Sequence, residues 1–239
     1  MTRIPFTLRY LAQFAALAFL CLAVQELAEH VLLRAACGSW GTVGFGSVTP
    51  AAGCGAGQGV PLAVAVGPVL AWLMIWGGMG IIRHGQPLAG ITVIMANLPL
   101  GRVVEVLFGG GDELAVARGL VSGNLLWLPT LLLLLLLVRS PLATTYRALA
   151  HPRRPALLSA LLVVPVVWDG LFTRTLLPAL SAWIPAAIGG VPVVFLAAMV
   201  AAVVALVLLG RREVRDPELA MISGQVYAVS VPRWVNRRG

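Results

Sequence analysis

The 239-residue chain contains no lysine and only nine acidic residues, and charged residues make up 11% of it. Hydrophobic residues make up 59%. A soluble domain with this composition would have too little polar surface to cover its exterior. The shortage of charge therefore excludes a soluble globular protein and predicts a polytopic membrane protein.

The sequence also lacks the short motifs of several common catalytic and cofactor sites. It contains no CxxC, no CxxCH, no P-loop glycine–lysine motif and no GxSxG. The formal charge is +8, and all seventeen basic residues are arginine. These arginines lie in short segments between apolar runs. That placement indicates membrane topology and contact with anionic lipid rather than binding of nucleic acid.

Apolar segments dominate what is present. Crossing a bilayer of roughly 30 Å takes about 20 helical residues. Six segments are long enough, at approximately 10–33, 60–82, 87–108, 117–138, 156–172 and 191–210. Residues 173–190, before the last span, hold two prolines and paired glycines, which favours an interfacial or re-entrant segment. The predicted fold class is an all-α membrane protein with six transmembrane helices.

The arginines predict the orientation of these spans. With the N-terminus inside, the arginine-rich segments between and beside the spans all fall on the cytoplasmic side. They contain Arg3, Arg9, Arg83, Arg139, Arg147, Arg153, Arg154, Arg211, Arg212 and Arg215. Both termini are then cytoplasmic, and the predicted location is the bacterial inner membrane. We expect a transmembrane domain at 1–210 and a basic cytoplasmic tail at 211–239.

Two cysteines bracket the first loop, which this topology places outside. Cys37 and Cys54 are either free thiols or a disulfide, which is chemically reasonable in an oxidising compartment. Closing a loop of this length would contribute roughly 3 kcal/mol. Glycine and β-branched residues alternate within 38–59, which predicts a short external hairpin rather than a helix.

The acidic residues outside the tail share one side of the membrane under this topology. They are Glu26, Glu29, Glu105, Asp112, Glu113 and Asp169. A charge near the bilayer centre costs several kcal/mol, so such residues usually face a bundle interior or a wet cavity. We therefore expect a polar pocket at the outer face, with Gln25, Asn97 and Arg102 joining Glu105 and Asp169.

The segment QELAEH, residues 25–30, places Glu26, Glu29 and His30 on one helix face. This spacing suits a transition metal. In an active site, Glu29, His30 and Asp112 would hold a divalent ion and Glu26 would activate its water. The alternative is a set of ion pairs with Arg34 or Arg102. We expect the three side chains to point into the bundle, with an arginine within hydrogen-bond distance of both glutamates.

QELAEH resembles a degraded HExxH of the site-2 proteases, the intramembrane zinc metalloproteases. Three features follow in the family's order: the Gly-rich loop 38–59, the Gly-Pro span VGPVLAW at 66–72, and ANLPLGR at 96–102. The last resembles the Asn-x-x-Pro-x-x-Asp-Gly region that supplies the family's third zinc ligand. The resemblance covers roughly residues 11–113 and implies a metalloprotease-like scaffold.

The zinc ligands are not reproduced at the matching positions. The first zinc histidine corresponds to Gln25, the general-base glutamate to Glu26 and the second histidine to Glu29. ANLPLGR lacks the third-ligand aspartate, although Asp112 follows later in the chain. Glutamine is a poor zinc ligand. These differences favour a pseudoenzyme, or a site used for another metal, over ordinary zinc proteolysis.

Three functional hypotheses follow. The first is a non-catalytic integral membrane subunit or pseudoenzyme that packs against other membrane proteins in a larger complex. The second is a membrane-embedded metal-dependent enzyme with its site at the outer face, for which a divalent metal ion would be the cofactor. The third is a small-solute transporter, which Pro-broken segments and intramembrane charges would allow. Membrane lipid is a partner under each hypothesis, and nucleic acid under none.

Overall fold

The computed structural model describes residues 4–54, 59–121 and 126–215. The helices in these residues are α1 (Leu8–Cys37), α2 (Val60–Arg83), α3 (Pro87–Ala96), α4 (Pro99–Leu107), α5 (Asp112–Leu120), α6 (Trp127–Ala148), α7 (Arg154–Leu171), α8 (Leu177–Trp183) and α9 (Val193–Arg215). The strands are β1 (Thr42–Val43), β2 (Val48–Thr49), β3 (Ala187–Ile188) and β4 (Val191–Pro192), and a π-helical turn (Phe172–Leu176) joins α7 to α8. Residues 216–239 of the predicted tail lie outside the described residues.

In the part of the chain that the structure describes, six helical stretches are long and apolar enough to cross a membrane, which confirms the predicted all-α polytopic fold. They are Leu8–Cys37, Val60–Arg83, Pro87–Leu107, Trp127–Ala148, Arg154–Trp183 and Val193–Gly210. The chain is an integral membrane protein. The first and last spans meet at one end of the bundle, where the guanidinium of Arg9 donates to the carbonyl oxygen of Leu209.

Two segments differ in detail from the sequence-based expectation. The fourth span begins at Trp127, because Asp112–Leu120 forms the separate helix α5 with both acidic residues in its first turn. The segment 173–190 first continues the fifth span through the π-helical turn and then forms a hairpin. Pro178 lies just inside α8 and has no N–H to donate. The wider π-helical turn before it avoids the clash that a proline ring makes in a regular helix.

Helix α1 forms the centre of the bundle and packs against α2, α3 and α9. Two glycines allow a close contact between α2 and α3. A Cβ at Gly78 would lie 2.8 Å from the carbonyl oxygen of Gly90, and a Cβ at Gly90 would lie 2.8 Å from the backbone nitrogen of Ile82. Small residues of this kind let the backbones of membrane helices approach closely.

Two hairpins cover one end of α1. In the first, Thr42 pairs with Thr49 and Val43 with Val48, which confirms the predicted hairpin-like loop. The predicted disulfide between Cys37 and Cys54 is present, with the two Cα atoms 5.3 Å apart. It ties the end of this loop to the last residue of α1.

Candidate functional site

A break in the third span positions the polar residues of the site. Helix α3 ends before Asn97, and α4 begins with Pro99. Leu98 between them has a φ of 53°, in the left-handed region that residues other than glycine rarely adopt. The turn leaves Asn97 and Arg102 buried and directed toward α1.

Arg102 joins α4 to the QELAEH segment of α1. Its Nη2 donates to Oε1 of Gln25, and its Nε donates to the carbonyl oxygen of Asn97 at 3.4 Å. The Nε2 of Gln25 donates to Oδ1 of Asn97 at 3.3 Å and to the carbonyl oxygen of Cys21 at 2.9 Å. Gln25, Asn97 and Arg102 thus form one hydrogen-bonded polar cluster.

Helix α5 brings two further carboxylates to this cluster. Nη1 of Arg102 forms an ion pair with Oε1 of Glu113 at 2.7 Å. Burial of Asp112, next to it, raises the pKa of that carboxyl group from 3.8 to about 6, although the positive charge of Arg102 acts in the opposite direction. Helix α5 thus supplies one ion-paired carboxylate, Glu113, and one whose pKa is raised by burial, Asp112.

Glu26 and Glu29 are buried in the bundle as expected, but the arginine pairing expected for them is wrong. Oε1 of Glu26 accepts a hydrogen bond from the N–H of Gly46 in the first hairpin. The carboxylate of Glu29 packs directly against α2, where a Cβ at Gly67 would overlap it. Neither glutamate forms an ion pair with an arginine in the described part of the chain. Arg102 is instead engaged by Gln25 and by Glu113.

His30 lies beneath the hairpins rather than among the carboxylates. Its Nε2 hydrogen-bonds with the carbonyl oxygen of Gly189 at 2.8 Å, and its ring stacks on Trp40 with 4.9 Å between centroids. Arg34, the other candidate partner for the glutamates, lies over the Trp40 ring, with its Cζ 5.6 Å from the ring centroid. The buried Nδ1 of His30 has no hydrogen-bond partner.

The proposed metal ligands are not brought together. Over residues 4–54, 59–121 and 126–215, no group of three or more His, Cys, Asp and Glu side chains could hold a metal ion. Glu29, His30 and Asp112 therefore do not form a ligand set, because His30 is directed to the second hairpin. Glu26, the proposed catalytic base, has one carboxylate oxygen bound to Gly46 and one buried without a partner.

Arg174 is a member of the site that the sequence did not predict. Its Nε donates to Oδ2 of Asp169 at 3.1 Å, and its Nη2 donates to Oε1 of Glu105. Residues five apart do not face each other in a regular α-helix. The π-helical turn, a feature often found at functional sites, brings Arg174 back over Asp169.

These groups surround a cavity of about 520 Å³ at the hairpin-covered end of the bundle. Its charged wall consists of Arg102, Glu105, Asp112, Asp169 and Arg174. Five glycines and five apolar residues complete the lining. Arg102, Glu105 and Asp169 of the expected polar pocket line this cavity, whereas Gln25 and Asn97 do not. Gly46 of the first hairpin also lines it and was not expected from the sequence.

The chain matches no protein-family model, no curated protein and no solved structure in comparisons with known proteins.

Proposed function

We propose that this protein is a non-catalytic integral membrane subunit, or a pseudoenzyme, on a site-2-protease-like scaffold, and that it packs in a larger membrane complex. The observation that carries the proposal is the hydrogen bond from Arg102 to Gln25. It joins the QELAEH helix to the ANLPLGR segment, the two regions that hold the zinc ligands in the family that the sequence resembles.

The chemistry of that junction supports a structural role. Gln25 stands where a histidine ligand would be needed, and both ends of its amide are engaged by hydrogen bonds. The guanidinium of Arg102 brings a fixed positive charge to Glu113 in the same place. A permanent cation that makes several directed bonds can neutralise buried carboxylates without a metal ion.

A membrane-embedded metal-dependent enzyme is the second candidate. It is favoured by Glu26, whose Oε2 is buried with no hydrogen-bond partner. A carboxylate in that condition is a candidate general base. The small-solute transporter is the third candidate, and the prolines inside α2, α6 and α7 are the feature that favours it.

The proposed location is the bacterial inner membrane with both termini in the cytoplasm. The support for the orientation is the arginine distribution. The contact between Arg9 and Leu209 supports placing the two ends on one side, whichever side that is.

Elemental analysis of the purified protein tests the proposal. We expect no stoichiometric metal in the wild-type protein and no change on Glu29→Ala or His30→Ala. The variant Gln25→His/Glu29→His/Arg102→Ala restores an HExxH helix and removes the competing guanidinium, so it should gain zinc if the scaffold is protease-like. A stoichiometric metal in the wild type that Glu29→Ala removes would establish the enzyme candidate instead.

A further inference from the structure

The charged wall of the cavity carries more carboxylates than cations. Glu105 and Asp169 share the single guanidinium of Arg174. Asp112 belongs to the same wall, and among the described residues it has no ion-pair partner. The other arginine of the wall, Arg102, is already paired with Glu113 and bound to Gln25. One wall carboxylate therefore has no ion-paired arginine.

Glu26 is a second carboxylate without an ion-paired arginine among the described residues. Only 4% of the residue is exposed, and its Oε2 has no hydrogen-bond partner among the described residues. Its other oxygen is bound to Gly46, which lines the cavity. Outside its own helix, the carboxylates that act electrostatically on Glu26 are Asp112 and Asp169, both in the cavity wall. Glu26 does not itself line the cavity, and it is joined to the cavity wall through its hydrogen bond from Gly46.

The remainder of the wall is suited to an organic molecule rather than to a bare ion. The volume of about 520 Å³ lies within the range of about 300–1,000 Å³ that small-molecule pockets occupy. Leu22, Val104 and Val166 provide apolar surface. Phe108, 84% exposed, lies at the rim and leaves a route of entry.

We propose that this cavity is a binding site for a small organic cation, with an ammonium group directed at Asp112 and an apolar part on the aliphatic wall. A cation placed there supplies the positive charge that Asp112 lacks as an ion-pair partner. The proposal goes beyond the structural role proposed above and does not depend on the protease-like scaffold.

Calorimetric titration of the full-length protein in detergent with benzylammonium tests the site. We expect saturable binding of benzylammonium and none of benzyl alcohol or benzoate, which have a similar ring without the positive charge. Equal heats for the amine and the alcohol would overturn the proposal, because they would show partition into the micelle rather than recognition of charge.

Two glycines offer a matched pair of variants. A Cβ built at Gly170 or at Gly77 meets no heavy atom within 4 Å, and both residues lie inside helices. Only Gly170 lines the cavity. Gly170→Leu should fill the cavity and weaken benzylammonium binding at least about tenfold, while Gly77→Leu should leave it unchanged. Undiminished binding by a folded Gly170→Leu protein would refute this location.

Asp112→Asn removes the unpaired charge with little change of shape. It should also weaken binding about tenfold or more, whereas Gln86→Lys, an equal change of net charge at the exposed start of α3, should not. Asp112 faces Arg102, Glu105, Glu113 and Arg174, and Glu29 also interacts with it. Because the cation needs the ionised carboxylate, wild-type binding should tighten as the pH rises through about 6. Equal affinity in wild type and Asp112→Asn would sink the proposal.

The ammonium group could belong to a soluble amine or to a lipid headgroup. Titrations in nanodiscs of phosphatidylglycerol, with and without phosphatidylethanolamine, distinguish these sources. Competition by phosphatidylethanolamine would identify the lipid headgroup, and unchanged affinity would identify a soluble amine. Binding of benzylammonium in neither kind of nanodisc would overturn the site.

Discussion

Arg102 and Glu113 form an ion pair of 2.7 Å in which the two side chains are only 10% and 8% exposed. Removing one partner of a buried pair leaves an uncompensated charge and costs about 3–5 kcal/mol. Arg102→Leu should therefore lower the free energy of unfolding by about that amount in a detergent denaturation series. The exposed Arg83 provides the control, and Arg83→Leu should cost less than about 1 kcal/mol. Similar losses in both variants would contradict a structural role for the pair.

The contact of Glu29 with Gly67 makes a second prediction. Gly67→Ala places a Cβ into the Glu29 carboxylate and should destabilise the protein by about 1–3 kcal/mol. Gly80→Ala, in the same helix α2 but in open space, should be neutral or stabilising by up to about 1 kcal/mol. Denaturant unfolding measures the change in the free energy of unfolding of each variant. If Glu29→Ala does not reduce the loss in the Gly67→Ala background, the two residues are not coupled.

Asp112 gives the stability of the protein a pH dependence of predictable sign. Its folded-state pKa is raised from 3.8 to about 6, so the folded state holds the proton more tightly than the unfolded state does. Stability should therefore fall as the pH rises from about 4 to about 6. The variant Asp112→Asn has no carboxyl group at this position and lacks this pH dependence. As the pH rises from about 4 to about 6, the melting temperature of the wild type should therefore drop relative to that of the variant. A difference in melting temperature that does not change with pH would contradict the raised pKa of Asp112.

The disulfide predicts an effect of reductant. Cys37 and Cys54 are 17 residues apart, and a closed loop of this size stabilises by roughly 3 kcal/mol. Cys37→Ser/Cys54→Ser should lower the free energy of unfolding by about that amount, and reductant should have no further effect on it. If reductant destabilises the double variant as much as the wild type, the effect does not come from this disulfide.

Orientation is tested by reporter fusions. The arginine distribution predicts that a reporter after Ala52, in the first loop, and one after His151, before the fifth span, lie on opposite sides. The His151 fusion should be cytoplasmic. Finding both reporters on one side would remove the basis for placing the site at the outer face.

The sequence predicted the spans better than it predicted the contacts of the polar residues. Hydropathy depends on composition over about 20 residues, so six spans could be recognised. The partner of Arg102 depends on the left-handed turn at Leu98, which propensity does not indicate for leucine. Arg174 was missed for a similar reason, because its approach to Asp169 requires a π-helical turn.

The direction of His30 was predictable only in part. Helical spacing placed it near Glu26 and Glu29, but its partner, the carbonyl oxygen of Gly189, belongs to the second hairpin, 159 residues later in the chain. No local pattern encodes such a contact. The same limit applies to Gly46, which reaches Glu26 because the first hairpin folds back over α1.

The bond between His30 and Gly189 joins residues 159 positions apart. At about 5–20 residues per second, a ribosome needs roughly 8–30 s to synthesise the chain between them. The first hairpin is therefore synthesised well before the second hairpin, which contains Gly189, and the intervening spans are inserted between the two events. The hairpin cover over α1 is therefore completed late in biogenesis. A nascent chain arrested before Gly189 would lack the carbonyl partner of His30 Nε2.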